Sequence, residues 1–143
     1  MVKPMQPLEV IGLDVGEAHT GMARGNTTAK LAEPLGSVPT ADVLAKLKGP
    51  SAKKSVDLLV IGLPRNLEGK DTKQTAWTRQ WAAKVKTELG VPMYWQDEAL
   101  TSRTAAKHQT SNIKHQTVDD HGSAAAAILQ DFLDSPEDMR VPV

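Results

Sequence analysis

Acids and a histidine stand at three places in this sequence where hydrolytic chemistry could be done. Asp14 lies between two glycines in Ile11-Gly12-Leu13-Asp14-Val15-Gly16. Asp97 and Glu98 follow a short apolar stretch, and Asp119-Asp120-His121 precede an alanine-rich one. A carboxylate at the end of a buried strand is costly unless something cationic binds it. Gly16, lacking a Cβ, lets a phosphate or a neighbouring backbone come close. The chain has no cysteine, which excludes disulfides, thiolate nucleophiles and thiolate zinc sites. Oxygen ligands drawn from three separate elements select a hard cation, Mg²⁺ or Mn²⁺. Two such ions roughly 3.5–4 Å apart would activate water and stabilise the leaving oxygen in an in-line phosphodiester cleavage. Each residue also has an ordinary reading. Asp14 could cap its own turn, Glu98 could be a solvated loop acid, and His121 could lie on the surface. Asp119 or Asp120 could cap the following helix and favour its dipole. The joint pattern carries the weight.

The elements that must position these residues follow from periodicity. The apolar run from Leu8 to Leu13 predicts a buried strand that ends at Asp14. A hairpin through Gly16-Glu17-Ala18-His19 leads to a second strand, His19 to Arg24, and a third, irregular strand lies within Lys30 to Val38. A short helix spans Asp42 to Lys48. The continuous apolar run Val56 to Leu63 predicts a central strand covered on both faces. A helix follows from about Thr72 to Leu89, with Trp77, Trp81, Val85 and Leu89 as its buried stripe and Gly90 as its C-cap. Met93 to Gln96 is a short strand, Leu100 to Lys107 a possible helix start, and His108 to Thr117 a polar loop. The last helix runs from about His121 to Leu133, with Ala125, Ile128, Leu129, Phe132 and Leu133 on its apolar face. The expected architecture is α/β: three antiparallel strands, then βα units, in a mixed five-stranded sheet with helices on both faces. If the first and last strands lie side by side, the three acidic places meet at one end of that sheet.

Composition bounds the function classes. At 143 residues the chain is expected to form a single domain over 1–143, with 1–7 and 135–143 loosely held. The 17 basic and 17 acidic residues cancel, so only local clustering could favour a polyanion. No stretch approaches the roughly 20 apolar residues of a membrane span. The N-terminus has no apolar signal core, so a cytoplasmic location is expected.

These residues resemble the YqgF/RuvX family of Holliday junction resolvase-like proteins and pre-16S rRNA nucleases. Asp14 with its glycines and Thr20-Gly21-Met22-Ala23 resemble the first signature of that family. Val60-Ile61-Gly62-Leu63-Pro64, with Asn66 and Gly69, resembles the second. Val91-Pro92 leading to Asp97-Glu98 and Leu100-Thr101-Ser102 resembles the third, and Ala124 to Asp134 the last helix. The resemblance runs from about residue 8 to 134 and implies an RNase H-like fold and a divalent-metal nuclease. It puts the first family acid on Asp14 and the second on Glu98. At the third, the sequence departs: an ungapped count back from Gln130 reaches His121, and Asp120 is one residue earlier. Asp120 is preferred as the third carboxylate because it suits a hard ion, provided that it caps the helix and its direction is free. His121 is kept as a ligand or as an acid or base. Arg65 stands where the family tends to be apolar, and Ala99 where an Arg is common.

Cleaving a polyanion needs cations around the acids. Arg65, Lys70, Arg103, Lys107 and Lys114 lie in or beside the flanking loops and are candidates for backbone phosphates. Few aromatics are present to stack bases, which favours readout of shape over single-strand sequence. The leading functional expectation is a metal-dependent endonuclease of structured nucleic acid, resolvase-like, acting on branched DNA. Processing of pre-16S rRNA is the alternative, and a non-catalytic module that binds nucleic acid or ribosomes is the rival class. The same Gly-Asp-Gly hairpin serves ATP-binding folds, but those need a duplicated domain that 143 residues do not supply. A four-way junction has two symmetric strands to cut, which a two-fold homodimer would match.

Overall fold

The computed structural model describes residues 8–48, 56–64, 70–97, 120–135 and 140–143. Strand β1 (Glu9–Val15) pairs antiparallel with β2 (His19–Asn26), and β2 pairs antiparallel with β3 (Glu33–Pro39). A 3₁₀ turn (Thr40–Asp42) leads into α1 (Val43–Lys48). Then come β4 (Leu58–Leu63), α2 (Lys73–Leu89), β5 (Met93–Asp97), α3 (Asp120–Asp134) and β6 (Val141–Pro142). The sheet order is β3-β2-β1-β4-β5-β6, with β1, β4 and β5 parallel and β6 antiparallel to β5.

Two expectations about the sheet change. It has six strands, not five, because residues 141–142, expected to be loosely held, pair with β5. The edge of β5 offers unpaired backbone groups, and the tail meets them: the Val143 N–H donates to the Met93 carbonyl at 2.9 Å. Lys86 Nζ donates to the Val143 carbonyl, and the Arg140 guanidinium stacks 4.4 Å from the Phe132 ring centroid. The first strand and the strand before Glu98 are not neighbours either. Strand β4 lies between β1 and β5, so their backbones are about 9–10 Å apart, two strand spacings.

Alternation along β1 explains why it reads as a nearly continuous apolar run. Ile11, Leu13 and Val15 face α1 and α2, where they join Met22, Leu59, Ile61, Met93, Val43, Leu47, Ala82 and Val85. Val10 faces α3 with Ala23, Leu58, Val60, Ala125, Ile128, Leu129, Phe132 and Leu133. Both faces of the central strands are covered, as the sequence suggests. The glycines at Gly12 and Gly62 let α3 sit close to the sheet. A Cβ at Gly12 would lie 2.7 Å from Leu129 Cβ, and one at Gly62 would lie 2.5 Å from Ile128 Cδ1.

Helix α2 has the expected length but a different buried stripe. Thr72 caps it in a reciprocal box with Thr75, and Gly90 closes it at φ 72°. The buried residues are Thr75, Thr78, Ala82 and Val85, spaced three, four and three apart. Trp77 and Trp81 lie half-buried on one flank of that stripe, packed against the edge of the core. The expected helix start at 100–107, the loop at 108–117 and residues 65–69 lie outside the described residues.

Candidate active site

Asp14 is the penultimate residue of β1, one residue short of the strand end that the sequence suggested for it. The β1–β2 ladder continues through Asp14↔Gly21 and Val15↔Thr20. By alternation Asp14 shares the α3 face with Val10 and Gly12, and its side chain is half-buried. Gly21 is its partner on β2. On the other side β1 and β4 stop pairing at Leu13↔Ile61, and the next residue of β4 is Gly62, which pairs with Gln96 of β5. The strand positions that flank Asp14 therefore carry no side chain.

Helix α3 brings its N-terminus to the same place. Its C-terminal Leu133 packs on Gly25, which pairs with Val10 near the start of β1. One to two turns back, Leu129 and Ala125 lie over Gly12. The helix thus runs antiparallel to β1. From Ala125 to Asp120 is five residues, about 7.5 Å of helix. From Gly12 to Asp14 is two residues, about 6.6 Å of strand. The start of α3 and Asp14 are at nearly the same height. The aligned peptide dipoles of the helix make that end electropositive.

The phase of α3 places the two positions considered for the third site residue differently. Asp120 is the first residue of the helix, so its backbone follows the helical phase instead of having the freedom of a cap. At about 100° per residue, position 121 falls four residues before Ala125 and seven before Ile128, on the stripe that faces the sheet. Position 120 falls on the opposite side. Burial follows the same phase at the next residues: Gly122 is buried and Ser123 is exposed.

The other predicted residues are distributed as follows. Glu98 directly follows β5 and lies outside the described residues, as do Arg65, Arg103, Lys107 and Lys114. Lys70 is described and exposed, two residues ahead of the Thr72 cap of α2. Arg79 is engaged structurally: it lies 3.5 Å from Asp71 and 5.6 Å over the Trp95 ring. Among the described residues no three His, Asp or Glu side chains converge, Glu98 not being one of them. What the structure does offer a hard divalent ion is a half-buried carboxylate beside the carboxyl ends of two parallel strands, in a chain with no thiol. The sequence reading missed Thr40, which holds the turn after Asp14 through contacts to Gly16 and Ala18. No spacing rule links residues 24 positions apart.

Sheet order, mixed pairing and helices on both faces define an RNase H-like α/β fold. Its solved counterparts include the Thermus thermophilus RuvC of the complex described as "T. thermophilus RuvC in complex with Holliday junction substrate". That chain matches with a TM-score of 0.63 at 18% identity over 95% of this chain and 99% of the RuvC chain. A second T. thermophilus RuvC structure matches with a TM-score of 0.59 at 15% identity, over 95% of this chain and all of that one. The chain belongs to the RuvX family, whose model, described as Holliday junction resolvase, matches residues 8–135. Relatives named "Putative pre-16S rRNA nuclease" include one from Roseiflexus sp. (strain RS-1), 32% identical over 91% of this chain and 96% of its own length. Another, from Chloroflexus aggregans, is 31% identical over 92% and 96%. Among the described residues no helix is long and apolar enough to cross a membrane.

Proposed function

We propose that the chain is a divalent-metal-dependent endonuclease of structured nucleic acid, with branched DNA of the Holliday junction type as its substrate. The carrying observation is that Asp14 and the start of α3 lie at nearly the same height on one face of the sheet, in a chain of the RuvX family. Asp14 would hold the metal, with Glu98 completing the carboxylate set. Bound there, Mg²⁺ or Mn²⁺ would activate water and neutralise charge on the phosphodiester in a two-ion arrangement. The helical phase supports position 121 over 120 as the third partner, so His121 takes the role first given to Asp120. Its imidazole would act as a nitrogen ligand or move a proton at the leaving oxygen. The electropositive start of α3 would favour the scissile phosphate. Lys70, together with Arg65, Arg103, Lys107 and Lys114, would bind flanking phosphates in a salt-dependent way. A homodimer would present two such sites to the two symmetric strands of a junction. A cytoplasmic location suits such a substrate.

The names of the relatives favour a second reading, cleavage of precursor 16S rRNA. One assay separates the readings. The purified protein is given a synthetic four-way DNA junction, a linear duplex and a structured precursor rRNA fragment, each with Mg²⁺, Mn²⁺ or EDTA. Paired symmetric cuts in the junction alone support the resolvase. Cuts only in the RNA move the function to rRNA maturation. Absence of metal-dependent cleavage in all three overturns the nuclease reading and leaves a binding module.

A further inference from the structure

Beyond Asp14 the strand that carries it is paired, among the described residues, on one side only. The β1–β4 ladder ends at Leu13↔Ile61, while the β1–β2 ladder runs on through Val15↔Thr20. A strand end held by one neighbour frays unless something else fixes it. In this protein that something is a buried pair of hydroxyls. Thr20 is 0% exposed and Thr40 is 7% exposed. Thr40 Oγ1 donates to the Gly16 carbonyl at 2.5 Å, and the two hydroxyl oxygens are 2.8 Å apart. A hydroxyl has one proton to give. Thr40 has given its proton to Gly16, so Thr20 must donate to Thr40. The result is a one-way chain from Thr20 through Thr40 to the Gly16 carbonyl, in a buried setting where successive hydrogen bonds strengthen one another. The Thr40 backbone N–H adds a bond to the Ala18 carbonyl at 2.9 Å, and the Gly16 N–H closes the turn on the His19 carbonyl at 3.0 Å.

We propose that Thr40 is a positioning residue: through the Thr20–Thr40–Gly16 chain it helps to fix the last residues of β1 and with them the Asp14 carboxylate. This rests on the nuclease reading, in which Asp14 holds the metal. Thr40 lies on the α1 side of the sheet and acts on Asp14 through the backbone of Gly16, two residues away. Its hydroxyl is matched in size by a Val methyl but not in chemistry. Thr40→Val would leave both the Thr20 hydroxyl and the Gly16 carbonyl without a partner.

The test compares Thr40→Val, Thr40→Ser and Thr20→Val with the unmodified full chain. Three readouts are used: cleavage kinetics, the rise in Tm on adding Mn²⁺, and amide hydrogen exchange at residues 14–16. Displacement of a catalytic group by a fraction of an ångström lowers turnover on the order of tenfold or more. Thr40→Val is expected to lower kcat by about tenfold at unchanged KM, to raise the Mn²⁺ concentration for half-maximal activity, to shrink the Mn²⁺-induced rise in Tm, and to speed exchange at residues 14–16. Thr40→Ser, which keeps the donor, should restore kcat to within about twofold, and Thr20→Val, which keeps the bond to Gly16, should lower it by about threefold. If Thr40→Val does not fold, the Thr20→Val and Thr40→Ser results carry the test. The proposal is overturned if the valine variants fold and cleave with wild-type kcat and Mn²⁺ dependence, or if their loss only tracks a smaller folded fraction. Failure of the nuclease reading looks different: the unmodified protein then neither cleaves nor gains stability from Mn²⁺.

Discussion

Gly62→Ala tests whether the close seat of α3 on the sheet is what sets the site. The added methyl would lie 2.5 Å from Ile128 Cδ1 and 3.2 Å from Ile128 Cγ1. Ordinary contact begins at 3.4 Å, so Cδ1 must retreat by roughly 0.9 Å in a packed interior. Ile128 is fully buried, and the move has to displace its neighbours or α3 itself. Overpacking by one methyl destabilises by about 1–3 kcal/mol. The stiffer unfolded chain of Ala over Gly returns about 0.4–1 kcal/mol. The net expectation is about 1–2 kcal/mol of destabilisation. Ile128→Val removes Cδ1 and alone destabilises by about 0.5–1.5 kcal/mol. In the double variant only Cγ1 remains in the way, and it has a few tenths of an ångström to yield. The double variant should therefore be about as stable as Ile128→Val alone, a coupling of about 1–2 kcal/mol. Urea unfolding of the four proteins, read by far-UV circular dichroism at constant m, measures the cycle. Cleavage should fall in Gly62→Ala by more than its folded fraction and recover in the double variant. Additive effects within about 0.5 kcal/mol would refute the reasoning.

Three further outcomes are expected. Asp14→Asn should abolish metal-dependent cleavage while leaving the unfolding midpoint near that of the wild type; retained cleavage with full metal dependence would move the site elsewhere. Lys70→Ala should weaken binding similarly for all substrates and reduce the slope of log K against log salt by about one, as measured by fluorescence anisotropy across a salt series. Thr72→Ala, which removes one half of the reciprocal cap of α2, should destabilise by about 1 kcal/mol in thermal unfolding without changing kcat.

The parts of the fold that were legible in the sequence are those set by local pattern. The strand at Leu58–Leu63 and the α3 stripe from Ala125 to Leu133 follow directly from apolar runs and helical spacing. The C-cap at Gly90 follows from the freedom of glycine to adopt a positive φ, while the Thr72 cap emerges only from the structure. What stayed hidden depends on pairing between distant residues. Asp14 reads as a strand terminus because it is the acid that ends the apolar run just ahead of the Gly16-Glu17-Ala18-His19 turn. It is internal because β2 extends the ladder to Thr20. Strand β6 is two residues long and has no period to detect, and the adjacency of β1 and β4 is a property of the whole sheet. Trp77 and Trp81 mislead because the face of α2 that is best buried carries the less hydrophobic Thr75, Thr78 and Ala82 beside Val85. For the proposed site, Asp14 and the start of α3 are suggested by residue types, whereas the preference proposed for position 121 over 120 comes from the point at which the helix begins.

That choice has a chemical consequence for metal preference. Mg²⁺ demands near-ideal octahedral geometry and oxygen ligands, whereas Mn²⁺ accepts an imidazole nitrogen more readily. With His121 in the third place, cleavage should be faster with Mn²⁺ than with Mg²⁺ at equal concentration. His121→Asp restores an all-oxygen set at the same helical phase and should reverse that order. Asp120→Ala changes a position on the far side of the helix and should leave the ratio of Mn²⁺ to Mg²⁺ rates unchanged. Metal titrations followed by the rise in Tm give the same comparison without turnover: His121→Asp should gain relatively more from Mg²⁺. If instead Asp120→Ala abolishes the response to both ions and His121→Asp leaves the ratio as it was, Asp120 is the third ligand. The start of α3 must then unwind to let it reach Asp14.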